Sequence, residues 1–430
     1  MTRIISRSLL CSIVAWCALT NTACSVATTS SAGGGTDVSN ASVSGIIRTA
    51  DGRGVVDVQV KLTSVSFLPY RPGSPESDSS VYLDTTNETG LYRFPVVKSD
   101  TYNIQAVHLT NRTRLFRSAI VVREHDSVQV PDDSLRLPGS IGIMLRPNGP
   151  YAANGIIFVP GTDLITRILS TSAPAVLDSV PAGRIPSIAY FDPSAGNSYS
   201  IVSNSVGVKP AGTAILGSVA FLVVTGNGAG SSAADSLIVS RLRSMGITVN
   251  VKSDVTITGS DASGSDVVLV SPTATSANLQ LFKSSAVPMI VCQTRMYPLL
   301  DMTGTVQGVD YAVYDKGVIN YTDSLRRNDI EMRDVGHPIS PNIAGTQVIC
   351  TDSVYMVWGV PTLKSKYVAS VFGDIFKIVI FTYDTGELME SIPAPARRVG
   401  LSFHEDVFAG LNQLGWMLFD NSVYWALRMR

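Results

Sequence analysis

One cysteine and two histidines are the side chains of this sequence whose chemistry could support nucleophilic catalysis. Cys292 directly follows the apolar run 287–291, which reads as a short buried strand, and His337 and His404 lie further along the chain. A cysteine attacks as the thiolate, and a nearby histidine helps to populate that form near neutral pH. The alternative is that Cys292 is a small apolar side chain inside a core.

The residues around Cys292 favour the second interpretation. A nucleophile on a sharp strand-to-helix turn needs very small residues two positions before and two after it, because the backbone there is crowded and strained. This sequence has the β-branched residues Ile290 and Thr294 at those positions. We therefore lean towards a protein without enzymatic activity, and Cys292, His337 and His404 are the candidates that would form a catalytic site.

Other patterns give no sign of a cofactor, a metal or a nucleic acid. The Gly-rich stretch 226–231 has the spacing G-x-G-x-G, which predicts a tight turn rather than a nucleotide site, and Asp254 is the nearest acidic residue that could hold a ribose. The histidines are far apart and form no metal-type cluster with cysteines. A formal net charge of −1 excludes the broad basic surface that nucleic acid requires.

The N-terminus has the features of an export signal. Arg3 and Arg7 precede the apolar run 8–19, which is too short to span a bilayer, and Ala23 precedes Cys24 as lipoprotein processing requires. Asn21 stands where an aliphatic residue is usual. We predict a signal peptide at 1–23, a lipidated Cys24 that anchors the protein in a membrane, and a flexible tether at 24–42. Ordinary cleavage nearby and a retained anchor are the alternatives.

This processing predicts an extracytoplasmic protein on the periplasmic or cell-surface face of the outer membrane. Only Cys292 and Cys350 then remain in the folded part. An exported protein could join them in a disulfide. Both follow apolar, strand-like runs, which favours two separate buried thiols, although the sequence leaves the disulfide open.

The pattern after residue 42 alternates with a period of two. Val58, Val60 and Leu62 share one face of a predicted strand, and Tyr92 and Phe94 share one face of another. Short strands separated by Gly-bearing turns are typical of an antiparallel sandwich. The stretch Gly-Leu-Tyr-Arg-Phe at 90–94 and its flanking strands resemble the carboxypeptidase regulatory-like domain, which implies a β-sandwich at 43–137 and no peptidase activity. A second, degenerate β module is expected at 138–208.

The C-terminal part, 209–430, changes to an α/β pattern. The apolar strand 219–226 is followed by an amphipathic helix at 232–246, and strands and helices continue to alternate, which predicts a doubly wound, flavodoxin-like sheet. The order of these elements, with "VPMIVCQTRMYPLL", "GHPIS" and "RRVGLSFHEDVF", resembles the class I glutamine amidotransferase-like superfamily, and within it the ThuA-like group. His337-Pro338 matches a His-Pro pair of that group.

Together these patterns predict a lipid-anchored protein whose β modules act as spacers and whose amidotransferase-like domain binds or scaffolds. Cell-envelope glycan and a surface protein are the expected partners besides the membrane. The resemblance also implies an alternative, a ThuA-like hydrolase or isomerase that acts on sugars with His337 or His404 as general base.

Overall fold

The computed structural model describes residues 41–49, 51–70, 81–145, 149–196, 198–226, 232–313 and 326–429. The predicted signal peptide, Cys24 and nearly all of the predicted tether lie outside the described residues. So do positions 227–231 of the Gly-rich stretch. The chain from Ser39 to Arg430 forms one unit, within which three modules follow one another.

The first module is a sandwich of two four-stranded sheets. Its strands are β1 (Ala41–Arg48), β2 (Val58–Ser64), β3 (Val81–Thr85), β4 (Leu91–Val97), β5 (Asp100–His108), β6 (Arg114–Val122), β7 (Ser127–Gln129) and β8 (Asp133–Ser134). One sheet has the order β4-β1-β7, with β8 also paired to β1, and the other has the order β3-β2-β5-β6. Val58, Val60 and Leu62 of β2 and Tyr92 and Phe94 of β4 are buried between the sheets, which confirms the predicted alternation.

The second module is built from nine short strands around a core of its own. They are β9 (Gly139–Ile143), β10 (Ile156–Phe158), β11 (Ile165–Arg167), β12 (Ala175–Val180), β13 (Gly183–Ile185), β14 (Ile188–Phe191), β15 (Tyr199–Ser203), β16 (Val206–Val208) and β17 (Thr213–Leu216). The sheets have the orders β11-β10-β14-β15, β12-β9-β17 and β13-β16. Because β17 pairs with β9, the sheets of this module extend to Leu216, beyond residue 208.

The third module contains a nine-stranded sheet. The strands of the whole module are β18 (Ala220–Thr225), β19 (Thr248–Ser253), β20 (Val267–Val270), β21 (Met289–Val291), β22 (Arg326–Arg327), β23 (Asp329–Met332), β24 (Gly345–Val348), β25 (Val354–Tyr355), β26 (Lys366–Val371), β27 (Ile378–Tyr383) and β28 (Arg398–Leu401). The sheet order is β19-β18-β20-β21-β28-β27-β26-β23-β24, while β22 pairs with β25. The first five strands are parallel and have the flavodoxin-like order, and the last four are antiparallel.

The two faces of this sheet are covered differently. Three α-helices, α1 (Ala233–Ser244), α2 (Glu405–Gly410) and α3 (Gln413–Ala426), pack on one face, where Val223 and Leu269 meet Ile238. Short 3-10 helices at Asp261–Gly264, Ala277–Phe282, Thr294–Met296 and Pro298–Leu300 cover the other face. Strands that are buried on both faces read as continuous apolar runs. The predicted multidomain architecture, β-sandwich modules followed by an α/β domain, is confirmed.

Polar contacts join the first two modules. The Asn103 Nδ2 atom donates to the Gly161 carbonyl oxygen at 3.2 Å. Gln105 and Asp163 exchange two hydrogen bonds, from Gln105 Nε2 to Asp163 Oδ1 at 2.7 Å and from the Asp163 backbone N–H to Gln105 Oε1 at 3.1 Å. Side chains of β5 therefore hold the turn between β10 and β11.

Aromatic stacking and contacts from the C-terminal residues also join the modules. Tyr70, from the segment after β2, stacks on Phe191 of the second module with ring centroids 4.0 Å apart. The Tyr424 hydroxyl of α3 donates to the Thr213 carbonyl oxygen at 3.0 Å, and Met429 lies against Gly142. Each module thus contacts the next through specific side chains.

Candidate functional site

The thiol of Cys292 lies in the core cluster on the α-helical face of the sheet. Its residue is 1% exposed. Burial raises the pKa of the Cys292 thiol far above its ordinary value, and the negative charge of Asp235 raises it further. A thiol with a raised pKa is protonated near neutral pH and is a poor nucleophile.

The backbone at Cys292 continues the strand instead of forming a sharp turn. The Cys292 N–H donates to the Val270 carbonyl oxygen at 2.9 Å, and Cys292 is not among the residues with positive φ. Gln293 then caps the short 3-10 helix Thr294–Met296. The Thr294 hydroxyl donates to the Ala312 carbonyl oxygen at 2.5 Å. An α-helix therefore does not begin directly after Cys292, as it does after a nucleophile on a sharp strand-to-helix turn.

The structure brings His404 to the same edge of the sheet as Cys292. Strands β21 and β28 are parallel neighbours, with Val291 opposite Gly400, so the segments that follow them leave the sheet side by side. The His404 ring caps α2, because its Nδ1 accepts the Asp406 N–H at 3.3 Å. Its Nε2 is within hydrogen-bond distance of the Tyr355 carbonyl oxygen, which it approaches as a donor. Burial lowers the pKa of His404, and both ring nitrogens are engaged with the backbone.

His337 occupies a different place, against β27 and α3. Its Nε2 donates to the Thr382 hydroxyl oxygen at 3.1 Å, and its Nδ1 accepts the Ile339 N–H at 3.2 Å. The ring lies 5.6 Å from that of Trp425. Desolvation lowers the pKa of His337 to about 4, so the ring is neutral near neutral pH. The three predicted candidates therefore do not form one catalytic group.

A buried carboxylate close to Cys292 was missed by the sequence reasoning. Asp235 lies in the first turn of α1 and is 0% exposed. Its backbone N–H donates to the Ser232 hydroxyl at 3.1 Å. Its carboxylate accepts hydrogen bonds from the Ser271 hydroxyl and, at 3.0 Å, from the Thr273 hydroxyl. The Ser-x-x-Asp pattern at the start of a predicted helix was the available signal.

The Asp235 network lies at the edge of the sheet where α/β folds of this strand order bind ligands. Such ligands sit at the carboxyl ends of the strands where the strand order reverses, here β18 and β20. The loop 271–276 lies there. The Gly226 N–H donates to the Thr273 hydroxyl at 2.9 Å, and Gln293 Nε2 donates to the Pro272 carbonyl oxygen at 2.5 Å. A Cβ on Gly226 would come within 2.2 Å of the Thr273 carbonyl oxygen, so glycine permits this close approach.

Asp254 also binds the loop 271–276. Its Oδ2 accepts the Thr275 and Ser276 N–H groups at 2.7 and 2.8 Å. Its Oδ1 is buried and has no hydrogen-bond partner among the residues that the structure describes. The carboxylate that could have held a ribose thus holds the start of the 3-10 helix Ala277–Phe282.

Two adjacent arginines near α3 are also engaged within the fold. Arg398 is 0% exposed and donates to the Ser285 and Val287 carbonyl oxygens at 2.6 and 3.0 Å. Burial lowers the pKa of Arg398 to about 10. Arg397 pairs with Asp384 at 2.9 Å and lies 4.4 Å from the ring centre of Trp425. These guanidinium groups hold segments of the chain together.

The described part of the chain has one shallow groove to note and shows no metal-type cluster. A shallow groove of about 550 Å³ lies on the first sandwich, lined by residues 99–101 and 121–124. No group of three or more potential metal ligands occurs within the described ranges. Among the described helices, none is both long enough and apolar enough to cross a bilayer.

Comparison with known proteins finds only solved structures of low similarity. No protein-family model and no curated protein matches it. A glutamine amidotransferase from Thermotoga maritima is 9% identical, with 49% of this chain and 99% of that one covered and a TM-score of 0.29. A candidate carbohydrate-binding protein from Bacteroides uniformis is 15% identical, with 40% and 99% covered and a TM-score of 0.17. A minor pilin from Streptococcus agalactiae is 10% identical, with 41% and 93% covered and a TM-score of 0.18. Scores this low assign neither an activity nor a ligand.

Proposed function

We propose that this protein is a lipid-anchored, extracytoplasmic binding or scaffolding protein of the cell envelope, with an amidotransferase-like domain that does not catalyse. The observation that carries the proposal is the state of Cys292. Its thiol is buried, its pKa is raised, and the hydrogen bonds of His337 and His404 go to other partners. A hydrolase of this kind needs a thiolate beside a free imidazole.

The buried carboxylates at the ligand-binding edge of this fold support the same proposal. Asp235 and Asp254 accept hydrogen bonds from the loop 271–276, which lies at that edge, so their observed hydrogen bonds go to the protein itself. In this proposal, ligand binding falls to the module surfaces, with cell-envelope carbohydrate as the ligand class. The N-terminal module, of carboxypeptidase regulatory-like type, and the second β module act as a spacer between the membrane and the α/β domain. The predicted lipid on Cys24 supplies the anchor.

The sugar-active alternative is less well supported. A general base must have a ring nitrogen within reach of its substrate. In His337 and His404 both ring nitrogens are already in hydrogen bonds within the fold, and burial lowers both pKa values. Neither ring is positioned to accept a proton from a sugar hydroxyl.

Activity measurements on the full chain test the non-catalytic part. The purified protein is assayed for amide, ester and glycoside hydrolysis beside Cys292→Ala and the matched control Cys350→Ala, which removes the other buried thiol. We expect no turnover that depends on Cys292. Hydrolysis that is lost in Cys292→Ala and in His404→Ala but kept in Cys350→Ala would overturn the proposal.

Labelling and glycan binding test the other parts. Cells that take up a palmitate analogue should label the wild-type chain and not Cys24→Ala, and equal labelling of both would reject the anchor. The Cys24→Ala chain on a glycan array should bind cell-envelope saccharides, and Cys292→Ala should leave that binding unchanged. An array without bound saccharides would reject carbohydrate as the ligand class.

A further inference from the structure

The strand β15 (Tyr199–Ser203) forms one edge of the sheet β11-β10-β14-β15. Within the described part of the chain, β15 pairs with β14 and with no other strand. An edge strand directs every second backbone N–H and C=O away from its neighbour, where these groups are free to pair with a further strand. Tyr199, Ser200 and Ile201 are all exposed, so this edge is open to solvent.

The open edge of β15 lacks the usual protection against pairing. Natural proteins protect edge strands with charged side chains or with proline. β15 has neither, and the whole stretch 193–208 carries no charged residue. Every other edge strand of at least five residues in the described ranges carries a charge, namely Asp84 in β3, Arg93 in β4, Arg114 and Arg117 in β6, Asp178 in β12 and Lys252 in β19. A strand with these properties is typical of an interface formed by strand pairing.

The apolar side chains of β15 adjoin the open edge. Tyr199 and Ile201 lie on the same face of the strand, and they are 41% and 48% exposed. On β14, Phe191 lies opposite Tyr199 and Ala189 lies opposite Ile201. The Tyr199 ring also packs edge-on against Phe158, with ring centroids 5.5 Å apart. Buried neighbours therefore hold these two side chains on one side and leave their other side open.

The two ends of β15 are flanked by opposite charges. Asp192 directly follows Phe191, which lies opposite Tyr199 at the start of β15. Beyond the other end, Arg184 Nε donates to the Ser205 hydroxyl at 2.8 Å. Neither Asp192 nor Arg184 forms an ion pair with another residue in the described ranges. An antiparallel neighbour with the same sequence would set its acidic end beside the basic end of this strand.

We propose that β15 pairs antiparallel with β15 of a second copy of this chain, so that the two four-stranded sheets become one continuous sheet. A two-fold axis between the strands makes each contact occur twice. In the register with Ser200 on the axis, Tyr199 lies opposite Ile201 of the second copy, and an aromatic side chain opposite a β-branched one stabilises a strand pair. The same orientation brings Asp192 of each copy towards Arg184 of the other.

Sedimentation of the unlipidated Cys24→Ala chain over a range of concentrations tests this pairing. The pairing goes beyond the proposed function and requires neither the lipid nor a ligand. We expect a reversible equilibrium between monomer and dimer. In the same chain, Ile201→Lys should raise the dissociation constant of the dimer on the order of 30-fold, because both Tyr199–Ile201 pairs are lost.

The matched control is Ile165→Lys in β11. Ile165 is 42% exposed and lies at the opposite edge of the same sheet. This variant should dimerise with the dissociation constant of the unsubstituted chain. A chain that stays monomeric at every concentration would overturn the proposal, and so would a dimer that Ile165→Lys weakens as much as Ile201→Lys does.

Reversal of the end charges tests whether the partner is a second copy in the antiparallel orientation. Arg184→Glu sets acidic groups against each other at both ends, and Asp192→Arg sets basic groups against each other, so each variant alone should dimerise more weakly. A mixture of the two variants restores both contacts between opposite charges. We expect a mixed dimer with about the affinity of the unsubstituted chain, which would also show that both variants are folded. A dimer that neither reversal weakens, or a mixture that forms no mixed dimer, would reject the antiparallel pairing of β15.

Discussion

Acidification should destabilise the α/β domain through His337. The pKa of this ring is lowered from 6.5 to about 4 by desolvation, because the residue is only 6% exposed. Between these two values the unfolded chain binds a proton that the folded chain does not, so the free energy of unfolding falls as the pH falls. The contribution is fully present above about pH 6.5 and is lost by about pH 4. A difference of about 2.5 pKa units corresponds to roughly 3 kcal/mol.

Tryptophan fluorescence during urea unfolding measures this effect within one domain. Trp358, Trp416 and Trp425 are the tryptophans that follow the predicted signal peptide, and all three lie in the α/β domain. The wild type and His337→Asn are unfolded at about pH 7 and about pH 4. At pH 7 the variant should be less stable by about 1–3 kcal/mol, because the Thr382 hydroxyl loses its partner Nε2, while the Asn oxygen can still accept the Ile339 N–H.

The decisive quantity is the difference between the two pH dependences. On acidification the wild type should lose roughly 3 kcal/mol more than His337→Asn does, while the titration of carboxylates is common to both. The matched control is His125→Asn, which removes an exposed imidazole at a positive φ that asparagine tolerates. Its pH dependence should equal that of the wild type. If His337→Asn and the wild type lose the same stability, the reasoning from burial is wrong.

Three further predictions concern the buried polar groups, the module contacts and the thiols. Ser271→Ala should destabilise the α/β domain by about 1–3 kcal/mol in urea unfolding, because the buried Asp235 carboxylate loses a donor, and an unchanged midpoint would contradict this. Asn103→Ala should lower the stability of the β modules by about 1 kcal/mol in calorimetry, since the Gly161 carbonyl oxygen loses its side-chain donor; a loss as large in the α/β domain would be unexpected. A thiol reagent should leave Cys292 and Cys350 unmodified in the native protein and modify both in urea without a reductant, whereas failure to react in urea would indicate a disulfide.

The β modules show how much local patterning determines. Alternating residues such as Val58 and Val60 can only bury one face of a strand, so they predicted both the strand and its buried side. The apolar run at 219–226 likewise predicted a strand covered on both faces. The short helices were harder to predict from the sequence. In the 3-10 helix Ala277–Phe282, Leu279 and Phe282 are buried three residues apart, a spacing that suits a 3-10 turn.

The candidate site depended on contacts between distant parts of the chain. The residues near Cys292 indicated that the backbone there makes no sharp turn. The structure places the Cys292 thiol within a core. No local pattern could show that Asp235 meets Ser271 and Thr273, because these residues come together only when α1 packs beside β20. The engagement of the His404 Nε2 atom has the same origin, since the Tyr355 carbonyl oxygen lies 49 positions away, whereas its Nδ1 atom accepts the nearby Asp406 N–H.

The sequence by itself determined the class of each module, the apolar faces of its strands and the unsuitability of Ile290 and Thr294 for a strained nucleophile. These properties depend on neighbours within a few positions, where side-chain size and periodicity act directly on the backbone. The tertiary structure decided the protonation of the thiol, the partners of the histidines and the hydrogen bonds that hold the loop 271–276. Those depend on desolvation and on hydrogen bonds between segments far apart in the chain, which exist only after the sheet and its covering helices have assembled.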